Sequence, residues 1–326
     1  MKTRGSEWKA GIAGCARRLC MALACGFGCA LALAGDMYKW QDEDGVWHFS
    51  DRPPAAGEAF DTFEVPAEPR EMVSLRRVGS EREPTYVFFN HYHGPAELEV
   101  HLAEARNVRT EPALPARFVL PGQAERYLVD LRAVDARQGF RYRLGYALVP
   151  GPPTMALPTD LDFYPPFPAG LAFPISQGLD DSATHSTPDS EFAVDIAMPE
   201  GTPVLAARAG VVMDLEDGFH AAGKQQQRYM NRANHVRILH EDGSMAVYAH
   251  LQADSARVGP GMRVPVGTWI ANSGNTGFSS GPHLHFVVQL NTGMTLTSLP
   301  FRFRLRGGRV LSPDRAQMLS GVIPLP

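Results

Sequence analysis

Beyond residue 34, glycine and proline cut this chain into short pieces. There are 31 glycines and 27 prolines among its 326 residues, and they recur between short apolar runs. Such punctuation ends helices and bounds strands. Runs such as "EFAVDIAM", "NHVRILH", "SMAVYAHL" and "HLHFVVQL" are strand-sized and Gly-bounded. None sustains the 3.6-residue period of a long amphipathic helix. A mainly β fold is expected, and the length suggests about two to three domains.

Residues 1–34 read as a secretory leader rather than part of the fold. Lys2, Arg4, Lys9, Arg17 and Arg18 form a basic lead. Leu19 to Ala34 is an apolar run of 16 residues that ends in Ala-Leu-Ala before Gly35, the plan of a cleavable signal peptide. It is short of the roughly 20 residues a membrane span needs, so an uncleaved anchor is the lesser alternative. The expected location is periplasmic, with no membrane contact after cleavage. All four cysteines (Cys15, Cys20, Cys25 and Cys29) lie in this leader. The mature chain would form no disulfide, and any metal site must be built from His and carboxylate. The leader takes five of the 31 basic residues and one of the 35 acidic ones, which leaves a net charge of −8. That balance and the lack of a basic stripe exclude a nucleic-acid partner.

The remainder divides by pattern. "GDMYKWQDEDGVWHFSDRPP" reads as a hairpin domain at 35–84, two aromatic-rich strands around a "DEDG" turn followed by a charged, structureless stretch. Residues 85–160 show several short alternating strands and suggest a β-sandwich-like domain. "DFYPPFPAGLAFP" marks a proline-rich linker at 161–174. Residues 175–305 return to short strands in an antiparallel β-sheet domain, and 306–326 read as a C-terminal tail.

In a strand, residues i and i+2 share a face. In "HLHFVV", His283 and His285 lie opposite Leu284 and Phe286. In "EFAVDIAM", Phe192, Val194 and Ile196 face a core and Glu191, Ala193 and Asp195 the other side. In "VYAHLQ", His250 shares a face with Tyr248. With strands about 4.8 Å apart, these imidazoles and the aspartate can converge in one groove, as a zinc site with an open position requires. The near copy "HYHGP" (His91, His93) has no acidic partner on a matching strand and is expected at the surface, and His101, His220, His235 and His240 as solvent or loop residues.

Residues 175 to about 295 resemble the M23 (lysostaphin/LytM-type) zinc metallopeptidases. The matching stretches are "GTPVLAARAGVV", "YAHL" and "GNTGFSSGPHLHF", in the family's order. The hairpin resembles a small domain of unknown function (DUF4124-like) of exported proteins, through Tyr38, Lys39, Trp40, Asp42, Gly45, His48, Phe49, Ser50, Asp51, Pro53 and Pro54. The M23 resemblance implies a β-sheet groove, one Zn²⁺, and cleavage of peptide cross-links in bacterial peptidoglycan, with its stem peptides as the partner. By the same resemblance Asp195 and His285 match zinc ligands, and His250 and His283 match the catalytic histidines that do not bind metal. The family's first ligand stands four residues before the Asp, where this chain has Glu191. His185, ten residues before Asp195, is assigned instead, with Glu191 as its rival. Which of His250 and His283 is base stays open, as does whether residues 35–160 occlude the groove. The alternative function is a catalytically inactive wall-binding or amidase-activating relative, and a secreted peptidase of other proteins is a third.

Overall fold

The structure is a computed structural model that describes residues 36–41, 47–50, 61–64 and 69–325 except 180, 182 and 183. The leader and the "DEDG" turn lie outside the described residues. The described residues fall into two compact units, one within residues 36–64 and one within residues 69–325. In the first, β1 (Asp36–Gln41) pairs antiparallel with β2 (Trp47–Ser50) and β3 (Asp61–Glu64). Trp40 stacks on His48 at 5.2 Å between ring centroids, a contact the aromatic alternation favours.

The second unit opens with a β-sandwich. One sheet holds β4 (Val73–Gly79), β5 (Pro84–Asn90), β7 (Val108–Glu111) and β9 (Ala124–Ala133); the other holds β6 (Ala96–Arg106), β8 (Ala116–Leu120) and β10 (Arg141–Pro150). Phe88, Val129 and Leu131 from the first sheet meet Leu98, Val100, Leu120 and Leu144 from the second in one buried cluster. β4 occupies a stretch expected to lack structure, because Val73 and Leu75 reach this core.

The rest of the unit is built on a nine-stranded sheet. Its strands are β12 (Ala172–Gln177), β13 (Val194–Ile196), β15 (Gly210–Glu216), β16 (His235–Leu239), β17 (Met245–Ala249), β18 (Arg263–Val264), β20 (Leu284–Asn291), β21 (Leu296–Ser298) and β24 (Met318–Ser320), in the order β18-β15-β16-β17-β20-β13-β12-β24, with β21 beside β20. Smaller sheets pair β14 (Pro203–Leu205) with β19 (Trp269–Asn272), and β11 (Asp162–Phe163) with β22 (Arg302–Arg304) and β23 (Val310–Leu311). The one α-helix among the described residues, α1 (Gln226–Tyr229), is a single turn.

Two expectations need correction. The proline-rich stretch 161–174 is not a linker: Phe163 and Phe167 are fully buried in the core with Phe286, Phe301 and Phe303. Proline fixes φ without excluding the aromatic beside it from a core. Nor is 306–326 a tail, since Leu319 is buried and β24 pairs with β12.

"HYHGP" is also more than surface. Tyr92 and Ala96 bury themselves against Met213 and Met245 of the large sheet, with Leu239 packed beside them. His93 N donates to Met213 O at 2.9 Å and Met294 N to Glu97 Oε2 at 2.6 Å. A side chain at Gly94 would put its Cβ 2.8 Å from Leu239, so glycine is what lets the sandwich sit this close.

His240, expected as a solvent or loop residue, lies in the loop after β16 but is only 3% exposed, with Nδ1 2.8 Å from Ala209 O and its ring 5.5 Å from that of Phe163. Burial pushes its pKa down to about 4 from 6.5. The folded state therefore binds fewer protons than the unfolded chain. The His240 contribution is complete above the unfolded value and lost as pH falls from about 6.5 to about 4, a change of about 3 kcal/mol. His240→Asn retains a donor for Ala209 O but does not titrate. Its stability, measured by urea denaturation between pH 7 and 4.5, is expected to fall less steeply than the wild type; an identical slope would contradict the assignment.

Candidate metal centre

Two neighbouring strands of the large sheet, β13 and β20, bring an aspartate and a histidine face to face. In the β13–β20 register Asp195 is the partner of His285, and in the β17–β20 register His285 is the partner of Ala249. Alternation sends Val194, Ile196, Leu284 and Phe286 into the core below. It leaves Asp195 and His285 on the opposite face, beside an apolar floor of Ala193, Val247, Val287 and Ala249. Gly274 opens the close turn before this strand. It bridges to His283 and packs against the Leu251–Gln252 backbone, where a Cβ would collide.

Five polar side chains converge there. His285 Nδ1 lies 2.9 Å, His185 Nε2 3.4 Å and His283 Nε2 3.7 Å from Asp195 Oδ1. The rings of His185 and His285 are 4.9 Å apart, and those of His250 and His283 4.6 Å. His185, Asp195 and His285 each offer one donor atom, all within 4.8 Å of one another. His185 is 5% exposed and reaches the cluster from a loop between β12 and β13. Glu191 sits in a turn, its N–H donated to Thr187 O, and its side chain is exposed. The strand begins only at Val194, so alternation does not extend back to Glu191.

His250 arrives by a route that alternation does not give. Tyr248 is fully buried, its hydroxyl accepting from Ala207 N at 2.7 Å, and Ala249 faces the site. His250 follows the strand at φ 62°, in the left-handed region, and this turn brings its ring beside those of His283 and His285. Holding a non-glycine residue there costs about 1–2 kcal/mol.

Hydrogen bonds orient both remaining histidines. His250 Nδ1 is 2.7 Å from Thr276 O, and His283 Nδ1 is 2.8 Å from Gly281 O. A carbonyl only accepts, so each ring donates from Nδ1 and leaves the Nε2 lone pair free for the site. Burial, with His283 and His285 beside it, pushes the His250 pKa down to about 3. Burial alone would raise the Asp195 carboxyl; hydrogen bonds from His185 and His285 outweigh it and hold the group well below the usual carboxylate range. Residues 221–223 are tied to the Gly277 segment by bonds from Gly223 N to Gly277 O at 3.0 Å and from Gly277 N to Ala221 O at 2.8 Å.

Sequence reasoning missed the polar groups behind the site. His235 Nε2 lies 2.8 Å from Asp214 Oδ2, and Arg237 Nε 3.0 Å from Asp214 Oδ1, a contact of charge rather than an aligned hydrogen bond. The visible signal was His235 and Arg237 at alternate strand positions on the face that carries the site.

Residues 190–296 match the model of peptidase family M23. This segment is an M23 domain. A second match, to a domain of unknown function (DUF4124), covers residues 22–86. Among curated relatives, an "Uncharacterized metalloprotease" of Buchnera aphidicola is 34% identical over 98 residues, 30% of this chain and 23% of the relative. The "DD-carboxypeptidase/endopeptidase Mpg" of Neisseria gonorrhoeae is 37% identical over 98 residues, 30% of this chain and 20% of its own length. The "Peptidoglycan DD-endopeptidase ShyA" of Vibrio cholerae is 32% identical over 123 residues, 37% of this chain and 26% of its own length. This chain thus spans about a quarter or less of each relative's length. The M23 match begins five residues after His185.

Proposed function

We propose that this chain is a metal-dependent endopeptidase that cleaves peptide cross-links of peptidoglycan. The convergence of His185, Asp195 and His285 with two oriented histidines, inside an M23 domain, carries the reading. The donor set fits Zn²⁺: two imidazoles and one carboxylate, with no thiolate, are a usual three-ligand set that leaves a fourth position open. Asp195 stays ionised, as a ligand must. A bound divalent ion supplies a Lewis acid that polarises the scissile carbonyl and makes water acidic near neutral pH.

The remaining steps belong to the side chains. His250, neutral and with its Nε2 lone pair exposed to the site, accepts the proton of the attacking water and returns it to the leaving amine. His283, its ring fixed through Nδ1 by Gly281 O, faces the carbonyl oxygen with Nε2 and, in its imidazolium form, donates from that atom as negative charge develops. The M23 likeness makes an extended stem peptide the expected substrate, and the expected bond in a Gram-negative wall is D-alanyl to diaminopimelyl. Action outside the cytoplasm follows from the leader-like residues 1–34 and from the cell-wall substrates named for the relatives.

The test is digestion of purified sacculi by the protein lacking residues 1–34. New uncross-linked muropeptides are expected, absent after treatment with a zinc chelator and restored by added Zn²⁺. Product formation indifferent to chelation, or none from any cross-linked sacculus, would overturn the proposal.

A further inference from the structure

His185 is the member of the cluster that no strand positions. Nine residues lie between it and Asp195, and a free loop of that length would spread its imidazole over many places. Ordering such a loop at the moment of binding weakens affinity, whereas ordering it beforehand does not. Two buried glutamines of the large sheet hold the loop, one on each side of His185. Gln177, 7% exposed on β12, is the register partner of Asp195. Its Nε2 donates to Asp181 O at 2.7 Å and its Oε1 accepts from Thr184 Oγ1 at 2.8 Å. Gln289, 6% exposed on β20, donates from Nε2 to Asp189 O at 2.7 Å. Ser298 on β21 adds a second clamp on that limb, donating from N and Oγ to Pro188 O at 2.7 and 2.9 Å.

Gln289 is itself fixed from behind. Its Oε1 accepts from Arg237 Nη1 at 2.6 Å, and Arg237 is paired with Asp214, which is bonded to His235. Burial would raise the Asp214 carboxyl, but the charge of Arg237 and the hydrogen bond from His235 outweigh it. An amide is the group that can accept from Arg237 and donate to a carbonyl at once.

We infer that Gln177 and Gln289 are positioning residues for His185, holding its loop in the metal-binding arrangement before the ion arrives. The inference rests on the reading of His185, Asp195 and His285 as a metal centre. It explains how the chain dispenses with a ligand four residues before the aspartate: the sheet grips the longer loop at the carbonyls of Asp181, Pro188 and Asp189.

The experiment measures Zn²⁺ affinity by competition with a chromophoric chelator, using the wild type, Gln177→Met, Gln289→Met and Gln289→Glu, with His185→Ala as the reference for a lost ligand. Gln289→Glu keeps an acceptor for Arg237 and loses only the donor to Asp189 O. Its added negative charge would by itself attract a dication, so weaker binding cannot come from charge. Glutamine variants are expected to bind Zn²⁺ about 10- to 100-fold more weakly than the wild type, the usual cost of losing a partner that orients a ligand. In the metal-free protein the Ser190 and Glu191 amides, bonded to Thr187 O, should also exchange faster with solvent. Folded glutamine variants whose affinity and exchange match the wild type, while His185→Ala loses affinity, would overturn this inference and leave the metal centre standing. Equal affinity in the wild type and His185→Ala would overturn the metal centre itself.

Discussion

His185→Ala is expected to lose cleavage of peptidoglycan by about a thousandfold or more, while Glu191→Ala cleaves at the wild-type rate. The two residues compete in the sequence for one role, and their surroundings differ. His185 is buried with Nε2 3.4 Å from Asp195 Oδ1, and a second ring, that of His285, lies 4.9 Å away. Glu191 is exposed and stands before the strand begins. Removing the imidazole leaves two protein donors where a catalytic site uses three. Loss of an orienting partner already costs about 10- to 100-fold, and loss of a ligand costs more. Release of muropeptides from sacculi at saturating enzyme reads the difference. Comparable loss in both variants, or loss in Glu191→Ala alone, would reverse the assignment.

His250→Ala is expected to lower kcat by about 10²- to 10⁴-fold, the range for removal of a general base, and to leave metal content unchanged. The ring lies 5.7 Å from that of His285, between centroids, and is anchored through Nδ1 to Thr276 O rather than to the cluster. Alanine and histidine bear the same left-handed backbone at this position, so the substitution adds no new strain there. A variant that keeps its metal and its melting temperature but cleaves normally would remove His250 from the proposed chemistry. A fall in metal content alongside kcat would make it a ligand instead.

The centre was legible where alternation holds. Asp195 and His285 lie within regular strands, and period two with apolar neighbours at 194, 196, 284 and 286 assigned their face correctly. It failed at His250, which alternation grouped with Tyr248; the chain leaves the strand there through a positive φ, and the tyrosine belongs to the core. Glu191 was misplaced for a related reason, since the period was extended past the start of the strand. His240 was misjudged because a lone histidine in a turn carries no sign of the phenylalanine that covers it. Gln177 and Gln289 match no motif: Gln177 bonds Asp181 O and Thr184 Oγ1 within the following loop, and Gln289 bonds Asp189 O, 100 residues earlier in the chain. The proline-rich stretch shows the limit of composition. It was read as a linker, yet its Phe163 and Phe167 fill the core, and the burial of one aromatic, worth about 1.5–3 kcal/mol, outweighs the preference of such a segment for solvent.

The most direct test counts metal. Zinc equilibrated with the protein and measured after desalting should give one equivalent per chain in the wild type and in Glu191→Ala, and none in His185→Ala. A full equivalent in His185→Ala, or no zinc retained by the wild type, would contradict a centre built from His185, Asp195 and His285.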